Sequence, residues 1–320
     1  MTTLIRSLAL LAGLALGYGA SAQTYPAKPI RMIVTFGPGG PTDVIGRVIA
    51  QKVSESLGQQ VVVENVAGAG GNIGVAAALR APADGYTIVA VSTGFIINPS
   101  LYARVPYAIK DFAPISIVAA SPNVITVYPG LPARTVQELI ALIKANPGRY
   151  NYAQPGIGST PHLAAELFKA TFGLDLTMVP FSGSATAITS TIGGHTPIAF
   201  TAFPTAMPNI KEGTLRGLAL LAAKRSPEAP DVPTMAEAGV PDQESDTVTS
   251  IVARVGTPQE IIDRWHREIV RAVALPDVNE KLRALGFNPV ASSPAEFAER
   301  IRTESARWDG VAREAHIRIE

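Results

Sequence analysis

Apolar and polar positions along the chain repeat one unit: a short β-branched run, a loop of Gly, Pro, Ser or Thr, then a stretch with helical period. Ile30 to Phe36 reads as a strand, Gly37-Pro38-Gly39-Gly40-Pro41 as a loop, and Thr42 or Asp43 can cap a helix running through Val48 and Val53 to Leu57. Thr87 to Val91 leads into Ser92-Thr93-Gly94. Asn151 to Ala153 leads into Pro155-Gly156-Ile157-Gly158-Ser159-Thr160-Pro161 and a helix from His162 to Phe172. Thr177 to Val179 precedes Ser182-Gly183-Ser184, and Ile198 to Phe200 precedes Thr201-Ala202-Phe203-Pro204. Near the C-terminus, Ile261, Ile262, Trp265, Ile269 and Val273 recur at helical spacing, as do Phe297, Ile301 and Trp308 after a Ser293-Pro294 start. Repeated βα units with short connections predict an α/β fold built on a mainly parallel sheet with helices on both faces.

That prediction has a positional consequence. Ligands of open α/β sheets bind outside the carboxyl ends of the strands, where these five loops belong. Helix N-termini there present unpaired N–H groups and the positive end of the dipole. Loops rich in hydroxyls and glycine converging on such a place favour an anion, and a carboxylate above all. Thr177 to Ile210 contains no Asp, Glu, Lys or Arg, a composition that lines a pocket with donors while adding no fixed charge.

The first 22 residues follow a different pattern. Arg6 is their one charge, Leu8 to Leu16 is apolar apart from Gly13, and Ala20-Ser21-Ala22 has the small-residue spacing of a cleavage site. This predicts a secretory signal, residues 1–22, with the mature chain beginning at Gln23 and working in the periplasm. The apolar stretch is shorter than the roughly 20 residues that span a bilayer, and no later segment has the character of a span. With Arg6 gone, the 27 basic residues fall level with the 26 acidic ones. Balanced charge without a basic stripe argues against nucleic acid as a partner. The absence of cysteine excludes disulfides, Cys-ligated metals and thiol nucleophiles, and suits an oxidising compartment.

Motifs for other chemistries fail. Gly37 to Thr42 and Gly68 to Ile73 both miss the last glycine of the dinucleotide fingerprint, and neither is a phosphate-binding P-loop. No G-x-S-x-G elbow surrounds any serine, and His162, His195, His266 and His316 are too scattered for a zinc site. Ser159 and His162 admit a nucleophile and base, but their spacing at a helix start equally suits a cap, with Pro161 in the first turn. His162 reads as a cap-region or cleft-lining side chain. Thr42 and Asp43 read as caps or as ligand contacts, and Asn65 and Asn72 flank a glycine-rich loop whose default meaning is a tight backbone path.

Longer stretches carry a family likeness. Tyr25-Pro26-x-Lys28-Pro29-Ile30, Gly39-Gly40-x-Thr42-Asp43, Val63-Glu64-Asn65 with Gly68-Ala69-Gly70-Gly71-Asn72-Ile73-Gly74, and Pro82-x-Asp84-Gly85-Tyr86-Thr87 resemble the Bug-type extracytoplasmic solute receptors of tripartite tricarboxylate transporters. The likeness continues through Asn98 to Tyr102, Asp111 to Pro114, Asn151 to Ala153, His162 to Ala164, Pro230 to Thr234 and Glu237 to Gly239. It implies a periplasmic binding protein-like fold of type II, a Venus flytrap of two doubly wound βα domains joined by a two-crossing hinge. The crossings are expected near Ser121 to Asn123 and Asp246 to Thr249, giving domain one residues 24–122 plus 248–320 and domain two residues 123–247.

The resemblance further implies a monomeric, non-enzymatic receptor, without cofactor or metal, that closes over a small organic acid and delivers it to the membrane permease subunits. Such a carboxylate is held by loop N–H groups, hydroxyls and bridging waters. Matched position by position, the ligand-facing candidates are Gly39, Gly40, Thr42, Asp43, Ser92, Thr93, Gly158, Ser159 and Thr160, with Phe181, Ser182, Gly183, Thr201, Ala202 and Phe203 completing the far wall; His162 joins them as a cleft-lining candidate. This chain has Phe181 where relatives often have Tyr, Thr201 and Ala202 in place of an acid and an amide, and Val248 and Thr249 in place of aromatic residues. These departures disfavour an amino-acid ligand and favour a plain dicarboxylate or an aromatic carboxylate contacted by Phe181 and Phe203. The competing readings are an exported serine hydrolase using Ser159 and His162, and a ligand-binding subunit that docks on a signalling receptor.

Overall fold

Successive residues of the first strands point to opposite sides of a sheet, and helices cover both sides. The computed structural model describes residues 25–240 and 243–314, so the expected signal segment lies outside the described residues. The first sheet runs in the order β2 (Val61–Asn65), β1 (Ile30–Val34), β3 (Thr87–Ser92), β9 (Asp246–Arg254) and β4 (Phe112–Val127), with the short β10 (Asn288–Pro289) also on β4. Met32, Val34, Ile88 and Ala90 face α1 (Pro41–Leu57) and α8 (Gln259–Ala274), burying Ile45, Ile49, Val53, Trp265 and Ile269. Ile33, Val89 and Val91 face the other way, toward Val75 of α2 (Asn72–Leu79), Phe95 of α3 (Gly94–Leu101) and Phe297 of α10 (Pro294–Glu314). The period of two in the strands thus becomes two separate cores.

The long strand β4 does not stop at the edge of this sheet. Phe112 to Pro122 pairs with β9, and Asn123 to Val127 continues between β7 (Ile198–Ala202) and β8 (Arg216–Leu221). Beyond β7 lie β5 (Asn151–Gln154) and β6 (Thr177–Pro180). Around this second group pack α4 (Val136–Lys144), α5 (Thr160–Phe172), α6 (Ser184–Ile192) and α7 (Phe203–Lys211). One core gathers Tyr152, Phe168, Phe200 and Leu139, and the other Val124, Ile188, Met207 and Val232. The helix α9 (Pro276–Ala284) completes the first group through Val278 and Leu282. Among the described residues no helix is long and apolar enough to cross a membrane.

The expectation of a mainly parallel sheet needs correction. Pairings β1 with β2 and β3, and β5 with β6 and β7, are parallel. Every pairing that involves β4 or β9 is antiparallel. The reason is topological: β4 carries the chain out of the first group and β9 brings it back, and neighbouring outgoing and returning strands run in opposite directions. Element ends also shift. The cap of α1 is Gly40 with Pro41 at the first helical position, so neither Thr42 nor Asp43 caps it. The strand β7 continues through Ala202 and α7 follows without a loop.

The returning C-terminal helices hold the start of the chain. Trp265 Nε1 donates to Tyr25 Oη at 2.9 Å, Tyr25 Oη donates to the carbonyl of Gly85 at 2.7 Å, and Arg264 donates to the Tyr25 carbonyl. Trp265 is fully buried, so Trp265→Ala should cost about 3–5 kcal/mol through cavity formation and a lost bond. Urea unfolding measures this, with Val270→Ala on the exposed face of the same helix expected to stay within about 0.5 kcal/mol.

Candidate ligand-binding cleft

The carboxyl ends of five parallel-paired strands meet at one cleft of about 370 Å³, its open mouth included. Phe36 follows β1, Ser92 ends β3, Pro155 follows β5, Gly183 follows β6 and Ala202 ends β7, while Thr247 of β9 forms part of the wall. Gly40, Pro41 and Thr42 open α1, Ser159, Thr160 and Pro161 open α5, and Ser184 opens α6. No lining residue carries a charged side chain. Each converging helix start favours a nearby anion by about 0.3–1 kcal/mol, and several together, screened from water, form a site for negative charge that needs no arginine. Among the described residues no cluster of three or more His, Asp or Glu is placed to hold a metal.

Gly40, Thr42, Ser92, Ser159, Thr160, Gly183 and Ala202 therefore stand in the wall. The other sequence candidates do not line it. Asp43 is buried in the first turn of α1, where Oδ2 accepts from Gly39 N–H at 2.9 Å and Oδ1 accepts from Arg47 Nε at 3.0 Å and Asn65 Nδ2 at 2.8 Å. Burial pushes its carboxyl up, but the donors from Arg47, Gly39 and Asn65 together hold it below the usual range. Asp43 is a charged buttress for the Gly39 turn, and Gly39 directs its own N–H to that buttress. Thr93 accepts from Val248 N–H at 2.9 Å and faces a second cavity, of about 450 Å³ with its open side, that also touches Ile97, Leu163 and Trp308.

On the far wall, Thr201 is buried in β7 with its hydroxyl unpartnered, because the strand register turns Ala202 to the cleft instead. Phe203 is fully buried in the core with Val124 and Met207, so its expected contact with an aromatic ligand is corrected. Phe181 packs on Ala153, Ala187 and Ala199. Ser182 is exposed at the rim, where its carbonyl accepts from Gly37 N–H at 3.3 Å. The candidates left out Phe36, Pro41, Pro155, Pro161, Ser184 and Thr247, which also line the cleft. Pro155, Pro161 and Ser184 belong to loops that the sequence pattern marks, so they were within its reach; Thr247 sits in a strand with no local signal.

His162 and Ser159 do not make a nucleophile and base. Ser159 caps α5, its oxygen accepting from the backbone N–H of His162 at 3.4 Å. The imidazole Nδ1 accepts from Gly158 N–H at 3.2 Å, which fixes a neutral ring buried beneath the loop. Its own burial drives the imidazole pKa down, against a weaker pull upward from Glu166.

The two sides of the cleft touch along a seam of glycines. A Cβ on Gly70 would lie 2.4 Å from the Ile157 carbonyl oxygen, and one on Gly158 would lie 2.5 Å from Asn98 Oδ1, so only glycine permits this approach. Tyr102 Oη donates to the Ile157 carbonyl at 2.6 Å, and Leu163 packs in one cluster with Ile97 and Leu101. Burial raises the Tyr102 pKa to about 12, which keeps the phenol a donor at neutral pH.

Comparison with known proteins gives a consistent result. The family model described as "Tripartite tricarboxylate transporter family receptor", TctC, matches residues 45–317. Protein BugT of Bordetella pertussis (strain Tohama I) is 40% identical over 303 residues, covering 94% of this chain and 93% of that one. The structure of R. palustris Rpa4515 with adipate shares 34% identity and a TM-score of 0.88, covering 92% of this chain and 99% of that one. MatC (Rpa3494) from Rhodopseudomonas palustris with bound malate shares 28% identity and a TM-score of 0.86, covering 90% and 99%.

Two expected outcomes come from this geometry. Tyr102→Phe removes one bond across the seam and should lower stability by about 1 kcal/mol in chemical unfolding. The buried, neutral His162 resists a proton that the unfolded chain accepts near its ordinary value of 6.5. Stability should be unaffected by His162 above that value and fall as pH drops through it. Thermal unfolding between about pH 7.5 and 5 reads the slope, and His162→Gln should flatten it.

Proposed function

Because the chain belongs to the tripartite tricarboxylate transporter receptor family, TctC, we propose that it is a periplasmic receptor that captures a small dicarboxylate in the cleft between its lobes and hands it to the membrane subunits of such a transporter. The observation that carries this reading is the cleft itself: a wall without charged side chains into which several helix starts direct their free N–H groups. A carboxylate entering it replaces water with preorganised donors and leaves no protein charge unpaired. The adipate and malate held by Rpa4515 and MatC are both dicarboxylates. Burial of Phe203, and of much of Phe181 against alanines, disfavours an aromatic acid.

Capture works by hinge bending. The first lobe comprises residues 24–122 plus 248–320 and the second residues 123–247, with the crossings at Ser121 to Asn123 and Asp246 to Thr249. The change of sheet partner within β4 between Pro122 and Asn123 supports the first crossing, and the start of β9 at Asp246 supports the second. The glycine seam is then the contact that forms on closure. Residues 1–22 direct export and are removed, and the mature receptor acts as a monomer without catalytic activity.

Purified protein lacking residues 1–22 should gain thermal stability with a short dicarboxylate, by about 2.7 kcal/mol when the acid is at about 100 times Kd. Isothermal titration should give one site per chain, and Ser184→Ala and Thr42→Val should each weaken it. A broad panel of mono-, di- and tricarboxylates that produces neither a shift nor heat overturns the proposal.

A further inference from the structure

Hydrogen-bond direction in the cleft wall narrows the ligand further, resting on the reading that the cleft holds a carboxylate. Thr160 opens α5 and Thr247 belongs to β9, and both line the cleft. Their hydroxyl oxygens lie 2.5 Å apart, close enough that one must donate to the other. Thr247 Oγ1 also contacts Asn123 Oδ1 at 3.0 Å, and that amide turns its Nδ2 to Ser245 Oγ at 2.7 Å. A carbonyl oxygen only accepts, so the single hydrogen of Thr247 goes to Asn123. The hydrogen of Thr160 must therefore go to Thr247. Both threonine hydroxyls have committed their only proton to the protein, and what they offer a ligand is lone pairs.

Ser159 likewise gives its proton to Gln154 Oε1 at 3.5 Å, whereas two other hydroxyls of the wall have the opposite character. The hydroxyls of Thr42 and Ser184 have no hydrogen-bond partner among the described residues, and they stand beside the free N–H groups at the starts of α1 and α6. One region donates and suits a carboxylate; the other accepts and repels one. We infer that the receptor prefers a hydroxycarboxylate, its carboxylates on the helix starts and its hydroxyl donating to the Thr160–Thr247 pair. A plain dicarboxylate leaves that pair facing a group without a proton to give. Thr160 and Thr247 are then specificity-determining residues, and Asn123 is a positioning residue that acts through Thr247.

The experiment is titration calorimetry on matched acids that differ by one hydroxyl, succinate against 2-hydroxysuccinate and glutarate against 2-hydroxyglutarate. Wild-type protein should bind the hydroxy acid of a pair about three- to tenfold more tightly, the worth of one hydrogen bond. Thr247→Val releases the Thr160 proton toward the cleft, so the ratio should fall to about one, while Thr247→Ser should keep it, because the chain of donors is intact. Thr160→Val, at the buried start of α5 on the other side of the same hydroxyl pair, should also abolish the ratio and serves if Thr247→Val fails to fold. Equal affinity for both members of each pair in wild type, or a ratio that survives both valine variants, overturns the inference while leaving the carboxylate reading standing. Failure of every acid to bind overturns that reading and this one with it.

Discussion

One strand shared by two sheets is the constraint on which the rest of the molecule depends. Because β4 leaves the first group at Pro122 and enters the second at Asn123 without a break, the two groups cannot separate, and β9 beside it brings the chain back in antiparallel register. The ends of β1 and β3 on one side and of β5, β6 and β7 on the other are thereby brought to the same cleft. Each strand end is followed by a helix start, so the convergence of strand ends is also a convergence of unpaired N–H groups. A site for an anion emerges from topology before any side chain is chosen.

Side chains then refine what topology supplies. An arginine in the cleft would attract carboxylates strongly but pair with any of them, and burying it carries a desolvation cost. Neutral donors bind through direction, and a hydroxyl takes its direction from its neighbours. Charge is present nearby but held away: Asp43 is surrounded by Gly39, Arg47 and Asn65, and its pairing with Arg47 cancels a carboxylate that would otherwise oppose an incoming anion. Behind the α5 cap, His162 stays neutral through burial and a backbone bond. The cleft is electrostatically quiet because the charged groups nearest to it are paired or uncharged.

The seam opposite the rim depends on the absence of side chains. Gly70 and Gly158 let two backbone loops approach closely, with Tyr102 donating to the Ile157 carbonyl and Asn98 to the Gly70 carbonyl. Glycine in such loops weighs on the unfolded chain's entropy, yet here it also permits contact that any Cβ would prevent. The pattern of the sequence shows glycine-rich loops at both places, and tight turns are their ordinary meaning. That the loops meet each other follows only from the docking of α3 against α5 through Ile97, Leu101 and Leu163.

The sequence by itself determined the βα repeats, the loops that line the cleft, the cap of α5 at Ser159, and a wall without charge, because each is a local property of spacing and residue type; it put the cap of α1 at Thr42 or Asp43 where Gly40 stands. It misjudged the sheet as mainly parallel, since the long crossings β4 and β9 have no turn signal that announces a change of sheet. It also placed Thr201 and Phe203 in the wall, where strand register shows Ala202 to the cleft and turns Thr201 away, and where Phe203 opens α7 and packs into the core with Val124 and Met207. Only the tertiary structure decided which hydroxyls line the cleft and which of them are bonded to one another. Thr160 meets Thr247 across 87 residues of chain, and Thr247 meets Asn123 across 124; the direction of a hydroxyl is fixed by such partners and not by anything adjacent to it in sequence.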